Sequence, residues 1–269
     1  MIKIIASDLD ETLLGHTRSV SERNRQAILA AAKAGVKFVP ATGRGYRTVG
    51  KTLAEIGLLD KPEEYVISFN GAAITENAGG RLLKFDGLPF ERVNTLFRRG
   101  QEYGFCMHIY TRDTVYVYRY DDEDRAYVTG RMEVVEMKED SIDFLRDEPL
   151  AKILYARANM DFLRKVREEV QDISDGLDVS FSSGRYLEFN RGGVNKGAGL
   201  LWLADYLGVP REETMALGDS TNDLTMLEAA GIGVGVANAS DDVRAVCDII
   251  TEHTCEEDAV AEAIERFVL

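Results

Sequence analysis

Short apolar runs, each closed by a polar or glycine-bearing turn, alternate with amphipathic stretches at both ends of the chain. Residues 2–7, 36–41 and 65–69 read as buried strands, separated by helices over 21–34, with Ser21 as N-cap, and around 46–56. The C-terminal part repeats the pattern. A helix over 198–207 precedes strands around Met215, at 232–236 and at 248–251, and a last helix covers 256–267. Such alternation predicts an α/β fold with a Rossmann-like, doubly wound parallel-sheet core.

The middle of the chain differs. Residues 105–110 and 115–120 are β-rich runs joined by Thr111-Arg112-Asp113-Thr114, which reads as a hairpin. A strand at 152–156 and a helix at 160–170 follow, then strands at 179–183 and 186–189 that meet around Ser183-Gly184-Arg185. A mixed module interrupting a parallel core predicts an inserted α+β domain at about residues 84–186, leaving 1–83 and 187–269 as the core. Tyrosines are concentrated in this insert. On a sheet face they are expected to pack against helices rather than to form a ligand platform.

The ends of the core strands carry the chemistry. Asp8 and Asp10 close the first apolar run. Two positions apart on extended chain, their side chains point to the same side, where carboxylates repel unless a cation or a shared proton lies between them. The plainer alternative is a strand ending in a polar turn with both acids solvated. A second apolar strand ends in Asp219, and Asn222 and Asp223 fall in the first turn of a helix beginning near Ser220. Helix capping accounts for Ser220 or Thr221 but not for Asp219 just before them. Two acid-tipped strands, if adjacent, gather at least three carboxylates, a hard oxygen set suited to Mg²⁺. The strand at 36–41 leads into Thr42, Gly43 and Arg44: a hydroxyl, a turn permitting close backbone approach, and a planar cation. Lys196 opens a helix against the macrodipole, which a nearby anion would explain. Acids for a metal, with Thr, Lys and backbone N–H for an anion, form a constellation for phosphoryl transfer.

In this order and spacing the motifs resemble the haloacid dehalogenase superfamily, and within it the Cof-type phosphatases with a type IIB cap. The matching stretches are Asp8-Leu9-Asp10-Glu11-Thr12-Leu13-Leu14, Ala41-Thr42-Gly43-Arg44, Asn70-Gly71-Ala72, Glu188 with Gly193-Val194-Asn195-Lys196-Gly197, and Gly218-Asp219-Ser220-Thr221-Asn222-Asp223. The resemblance covers essentially the whole chain. It implies a phosphatase acting on a small phosphorylated metabolite, with Asp8 as nucleophile and Asp10 as acid and base. It implies Mg²⁺ held by Asp8, Asp219 and the backbone carbonyl of Asp10. Thr42, Lys196, Asn222 and the N–H groups of Leu9 and Gly43 would bind phosphate oxygens. Asp223 would orient Lys196 or a metal-bound water, and Arg44, Asn70 and Gly71 would lie where the leaving group is read. One departure stands out: Glu11 occupies a position where the family usually has glycine. That implies a more ordinary backbone there, or a different local charge.

Three other readings share these residues. A dehalogenase has no leaving alkoxide to protonate, so Asp10 argues against it. A phosphomutase of the phosphomannomutase type shares site and cap class. A catalytically dead phospho-ligand sensor is the non-enzymatic reading, although nothing required is missing. Hexose phosphates, flavin mononucleotide and pyridoxal phosphate are all compatible substrates, and the insert is expected to choose among them.

Composition narrows the partners. Over 269 residues the apolar share is 45%, and the formal net charge is −14 with no basic run. Such acidity disfavours nucleic acid and anionic membranes, and an anionic substrate then requires a local reversal of sign. Cys106, Cys247 and Cys255 are widely spaced and odd in number, as expected of reduced thiols in a cytoplasmic protein, and the histidines show no ligand spacing with them. No secretory signal or membrane-spanning stretch is read, and a monomer or weak dimer is expected.

Overall fold

In the computed structural model, which describes residues 1–269, the chain forms two units: 1–84 with 195–269, and 85–194. The first is built on five short strands in the order Ile249–Ile250, Ile232–Gly235, Thr214–Gly218, Ile4–Ser7 and Lys37–Pro40, every neighbouring pair parallel. Alternate residues of these strands enter opposite cores. Ile5, Phe38, Met215 and Leu217 pack with Ile28 and Ile264 from helices Glu22–Lys33 and Ala259–Phe267. Ile4, Ala6, Val39 and Ala216 pack with Leu200, Leu203 and Leu227 from helices Lys196–Tyr206 and Leu224–Ala229. Burial on both faces is why these strands read as continuous apolar runs. Ser21 caps its helix as expected, accepting from the Asn24 N–H at 3.1 Å.

Three local expectations are corrected. The strand Tyr65–Ser68 is not a full member of the parallel sheet. It forms an antiparallel pair with Ala73–Glu76 in a three-stranded sheet completed by Arg81–Phe85, and it meets the core through the single parallel bridge Ala41↔Ile67. The helix expected over 46–56 is a 3₁₀ turn, Tyr46–Thr48, followed by the short helix Gly50–Glu55. The Thr48 hydroxyl there donates to the Gly45 carbonyl at 2.8 Å, a side-chain bond that competes with the helical ladder. The last helix starts at Ala259, because Thr254 and Glu257 close a capping box around Cys255–Glu257 and Asp258 then turns left-handed at φ 70°.

The second unit holds a six-stranded sheet in the order Leu177–Ser182, Tyr186–Arg191, Leu150–Ala156, Cys106–Thr111, Val115–Tyr118 and Val135–Glu136. Both expected hairpins are present, with Met107 opposite Tyr118 and Ser182 opposite Tyr186. Helices Phe90–Tyr103 and Met160–Glu169 bury Val93, Leu96, Phe97, Leu163 and Val166 against Phe105, Ile153, Tyr155, Leu187 and Phe189. The first of these helices is not legible in the sequence. Gly100 interrupts its apolar stripe, yet a Cβ there would lie 2.1 Å from Met107 Sδ, so helix and sheet approach too closely for a larger residue. Tyr118 stacks edge-on against Phe97 of the same helix, with centroids 4.9 Å apart.

The return to the first unit falls after Val194, not after 186 as the sequence suggested. The physical reason is hydrogen bonding: Tyr186–Arg191 pairs antiparallel with both Leu177–Ser182 and Leu150–Ala156, which keeps it in the second sheet. No helix is long and apolar enough to cross a membrane.

Tyr155 is the centre of the second core. It stacks on Phe105 at 4.8 Å, and its hydroxyl donates to the Leu96 carbonyl at 2.6 Å. Tyr155→Phe keeps the packing and removes one buried hydrogen bond. It should cost about 0.5–1.5 kcal/mol, measured as a lower urea midpoint at unchanged slope.

Candidate active site

Asp8 and Asp219 stand just beyond two adjacent parallel strands whose register sets Ser7 opposite Leu217. Both acids therefore emerge at the same carboxyl end of the sheet, the usual ligand-binding edge of an open α/β fold. Lys196 reaches them from the start of its helix, which Asn195 caps by accepting from the Ala198 N–H at 2.8 Å. Its ammonium lies 2.5 Å from Asp8 Oδ1 and 2.7 Å from Asp223 Oδ1. The other oxygen of Asp223 accepts the N–H groups of Asp219 and Ser220, each at 3.1 Å, and Thr12 donates its hydroxyl to Asp219 Oδ1 at 2.8 Å. All four charged groups are buried.

Three carboxylates thus lie together in a volume screened from water, with one ammonium bonded to two of them. Burial pushes Asp8 up to about 7, with Asp223 and Asp10 adding to the rise and Lys196 opposing it. Asp219 is also raised, by burial first, then by Asp223 and Asp8, with Thr12 working against the shift. For Lys196 burial disfavours the charge, but Asp223 and Asp8 more than reverse that, and it is held protonated. The carboxylates of Asp8, Asp219 and Asp223 offer oxygens within 4.8 Å of one another. This donor set suits a divalent cation: hard oxygens carrying uncompensated buried charge. With both oxygens of Asp223 engaged, Asp8 and Asp219 are the carboxylates fitted to face the ion.

Beside this group lies a second set of polar atoms. Thr42 follows the strand next to Asp8, and its hydroxyl oxygen accepts the Arg44 N–H at 3.0 Å. The N–H groups of Leu9 and Gly43 donate to no protein acceptor, and such donors are suited to a ligand oxygen. Asn222 donates to Asn70 Oδ1 at 3.3 Å, and the Asn70 N–H donates to the Thr42 carbonyl at 3.0 Å, so three of the expected phosphate and substrate contacts are linked. Gly71 has a packing reason of its own: at φ 99°, a Cβ would fall 2.2 Å from the Asn195 carbonyl that begins the Lys196 helix.

Two residues behave differently from their sequence reading. Glu11 does not relax the backbone; its φ is 63°, in the left-handed region that glycine favours. The turn is held by Glu11 N–H donating to the Leu14 carbonyl at 2.9 Å and by Asn238 donating to the Glu11 carbonyl at 2.8 Å. An exposed loop asparagine so distant in sequence carries no signal of this contact. Arg44, read as a contact to the leaving group, forms a two-pronged ion pair with Asp10: Nε donates to Oδ2 at 2.7 Å and a terminal nitrogen donates to Oδ1.

The second unit brings together Cys106, His108 and Asp124, all buried. Asp124 accepts from Tyr186 at 2.9 Å and pairs with His108 Nε2 at 2.6 Å, while His108 Nδ1 has no partner. A ligating histidine normally donates its second nitrogen to a supporting group, so this cluster is fitted for packing rather than for metal. Burial, then Asp124, pushes the Cys106 thiol up, which keeps it protonated.

A family profile described as haloacid dehalogenase-like hydrolase matches residues 5–264. The chain belongs to this family. Among its relatives is a putative phosphatase of Bacillus subtilis, YxeH, 30% identical over all of this chain and 99% of that protein. Another is the 5-amino-6-(5-phospho-D-ribitylamino)uracil phosphatase YcsE of the same organism, 31% identical over 100% of this chain and 96% of the relative. Among solved structures, the subclass IIB sugar phosphatase BT4131 superposes with a TM-score of 0.86 at 22% identity, covering 98% of each chain, and so shares the fold. Within this hydrolase family, Asp8, Lys196, Asp219 and Asp223 are drawn from widely separated segments into one hydrogen-bonded group.

Their charge surplus has a measurable consequence. Raised carboxylate pKa values mean that the folded protein holds protons which the unfolded chain releases between about pH 4 and 7. Freed of divalent ions, the protein should therefore lose stability as pH rises through that window. Added Mg²⁺ should raise the melting temperature more at pH 7.5 than at pH 5, and Asp8→Asn should flatten the metal-free profile. A metal-free stability that climbs steadily from pH 5 to 8 in the wild type alone would contradict this.

Proposed function

We propose that the chain is a Mg²⁺-dependent phosphatase that hydrolyses small phosphomonoesters by way of a phosphorylated Asp8. The observation that carries this reading is Lys196, buried between Asp8 and Asp223 beside Asp219. A lysine bound to the nucleophile and to a supporting acid can neutralise an incoming phosphate without competing for the leaving group. The printed names of the relatives support the class: YcsE is named for a phosphorylated ribityl compound, a small polar monoester.

In this mechanism one oxygen of Asp8 attacks phosphorus and the bond to the ester oxygen breaks, leaving the phosphoryl group on Asp8. Asp10 gives a proton to the departing oxygen and then takes one from the water that hydrolyses the phosphoenzyme. The Thr42 hydroxyl, the N–H groups of Leu9 and Gly43, the Lys196 ammonium and the Asn222 amide bind the non-bridging oxygens. Asp223 orients Lys196. Mg²⁺, when held by Asp8, Asp219 and the Asp10 carbonyl, offsets the repulsion between nucleophile and phosphate. Asn70 is well placed to steady Asn222, to which it is bonded.

Asp8→Asn should keep the fold and lower kcat by about 10³-fold or more, in a hydrolysis assay over a panel of phosphomonoesters. Near-normal turnover in this variant would remove the mechanism. Chelation should abolish activity, with Mg²⁺ restoring it and Ca²⁺ restoring it poorly, since the larger ion takes a looser, higher-coordinate shell. Asp219→Ala should raise the Mg²⁺ concentration needed for half-maximal rate; undiminished activity in excess chelator would exclude the metal.

A further inference from the structure

Building on the phosphatase reading above, we infer that Arg44 is a positioning residue that aims the Asp10 carboxyl at the departing oxygen, not a reader of the leaving group. Three observations converge on it. First, the guanidinium grips both oxygens of Asp10, and a planar fork on a carboxylate fixes its rotation as well as its distance. The pair is not a surface contact, since the side chains are 15% and 24% exposed.

Second, Arg44 is itself immobilised. Its N–H donates to Thr42 Oγ1 at 3.0 Å and its carbonyl accepts the Phe69 N–H at 3.0 Å. Phe69 and Asn70 both stand in left-handed backbone, at φ 52° and 56°, where non-glycine residues persist only if their surroundings hold them. The base of the fork is thus a braced turn.

Third, Asp10 needs such a brace. It lies next to Glu11 at φ 63°, in a turn that leaves the sheet after Ser7. Asp8 and Asp219 are held by Lys196 and Thr12 respectively. The Asp10 carboxylate is gripped instead by the fork from Arg44, which orients it. In the step concerned, a bond forms between Asp8 and phosphorus, the phosphorus–oxygen ester bond breaks, and its electron pair goes to the leaving oxygen. The Asp10 proton then passes to that oxygen. One arm of the fork can stay on the oxygen that does not carry the proton and keep the carboxyl aimed. A lysine, with a single rotating ammonium, could hold the distance but not the plane.

The test compares phenyl phosphate, whose leaving group needs a proton, with 2,4-dinitrophenyl phosphate, whose leaving group does not. Arg44→Ala should lower kcat/KM for phenyl phosphate by about 10²-fold and for the dinitrophenyl ester by less than about 10-fold, the range expected for lost acid catalysis. Arg44→Lys should fall between the wild type and Arg44→Ala. If Arg44→Ala does not fold, as judged by circular dichroism, Arg44→Lys carries the same two-ester comparison. In the double variant Asp10→Asn/Arg44→Ala the loss should be no greater than in Asp10→Asn alone, because one residue acts through the other. Equal losses on both esters, or an undiminished Arg44→Ala effect on the Asp10→Asn background, would overturn the inference. Should Asp10→Asn itself show no preference between the esters, the acid role in the proposed mechanism fails; should it show one while the Arg44 variants do not, only the role of Arg44 fails.

Discussion

A single ammonium buried among carboxylates is the constraint on which the first unit is organised. Lys196 has no exposed surface, and so cannot draw on water to stabilise its charge. Only its two anionic partners, at 2.5 and 2.7 Å, make the charge tolerable there. Reciprocally, Asp8 and Asp223 are tolerable because Lys196 stands between them. Each must be delivered to within a fraction of an ångström. That demand accounts for the adjacency of two parallel strands, for the Asn195 cap at the start of the lysine's helix, and for a glycine at 71, where that helix passes too close for any side chain.

The same demand leaves the group with a net negative surplus. Carboxylates raised by burial are those whose charge the fold does not itself compensate. A site of this kind is prepared for a cation from outside, and a phosphate can follow the cation despite a chain whose formal charge is −14. Around it the backbone is held in conformations that cost energy. Glu11, Phe69 and Asn70 are all left-handed, and each belongs to a segment pinned by side-chain or cross-loop hydrogen bonds.

The second unit has a core of its own, built where its two long helices meet one face of the six-stranded sheet, and it shares no core residue with the first. Some of its buried polar groups are paired within it: Tyr155 with Leu96, and Asp124 with His108 and Tyr186. None of the residues assigned here to phosphoryl transfer lies in it. Sequence can therefore vary in this unit without reaching through a common core into the Lys196 group.

The α/β class, the parallel core, both hairpins of the insert and the identity of the charged group at the strand ends were legible in the residues alone. Local rules decide them: apolar runs specify strands, Ser21 caps a helix, and acids at strand ends fall where a parallel sheet opens to ligand. What local rules could not decide was how those groups pair, because pairing depends on which loops become neighbours. The sequence offered Arg44 as a planar cation near the leaving group, and Glu11 as the mark of a more ordinary turn or of a different local charge. Tertiary structure put the first on Asp10 and held the second left-handed through Asn238, which lies far along the chain. The return from the insert followed the same logic. Tyr186–Arg191 mixes three apolar residues with Glu188, Asn190 and Arg191, and its hydrogen bonds to the neighbouring strands assign it to the second sheet. Composition and periodicity determine which elements form; the directionality of hydrogen bonds and the cost of burying an unpaired charge determine what they hold between them.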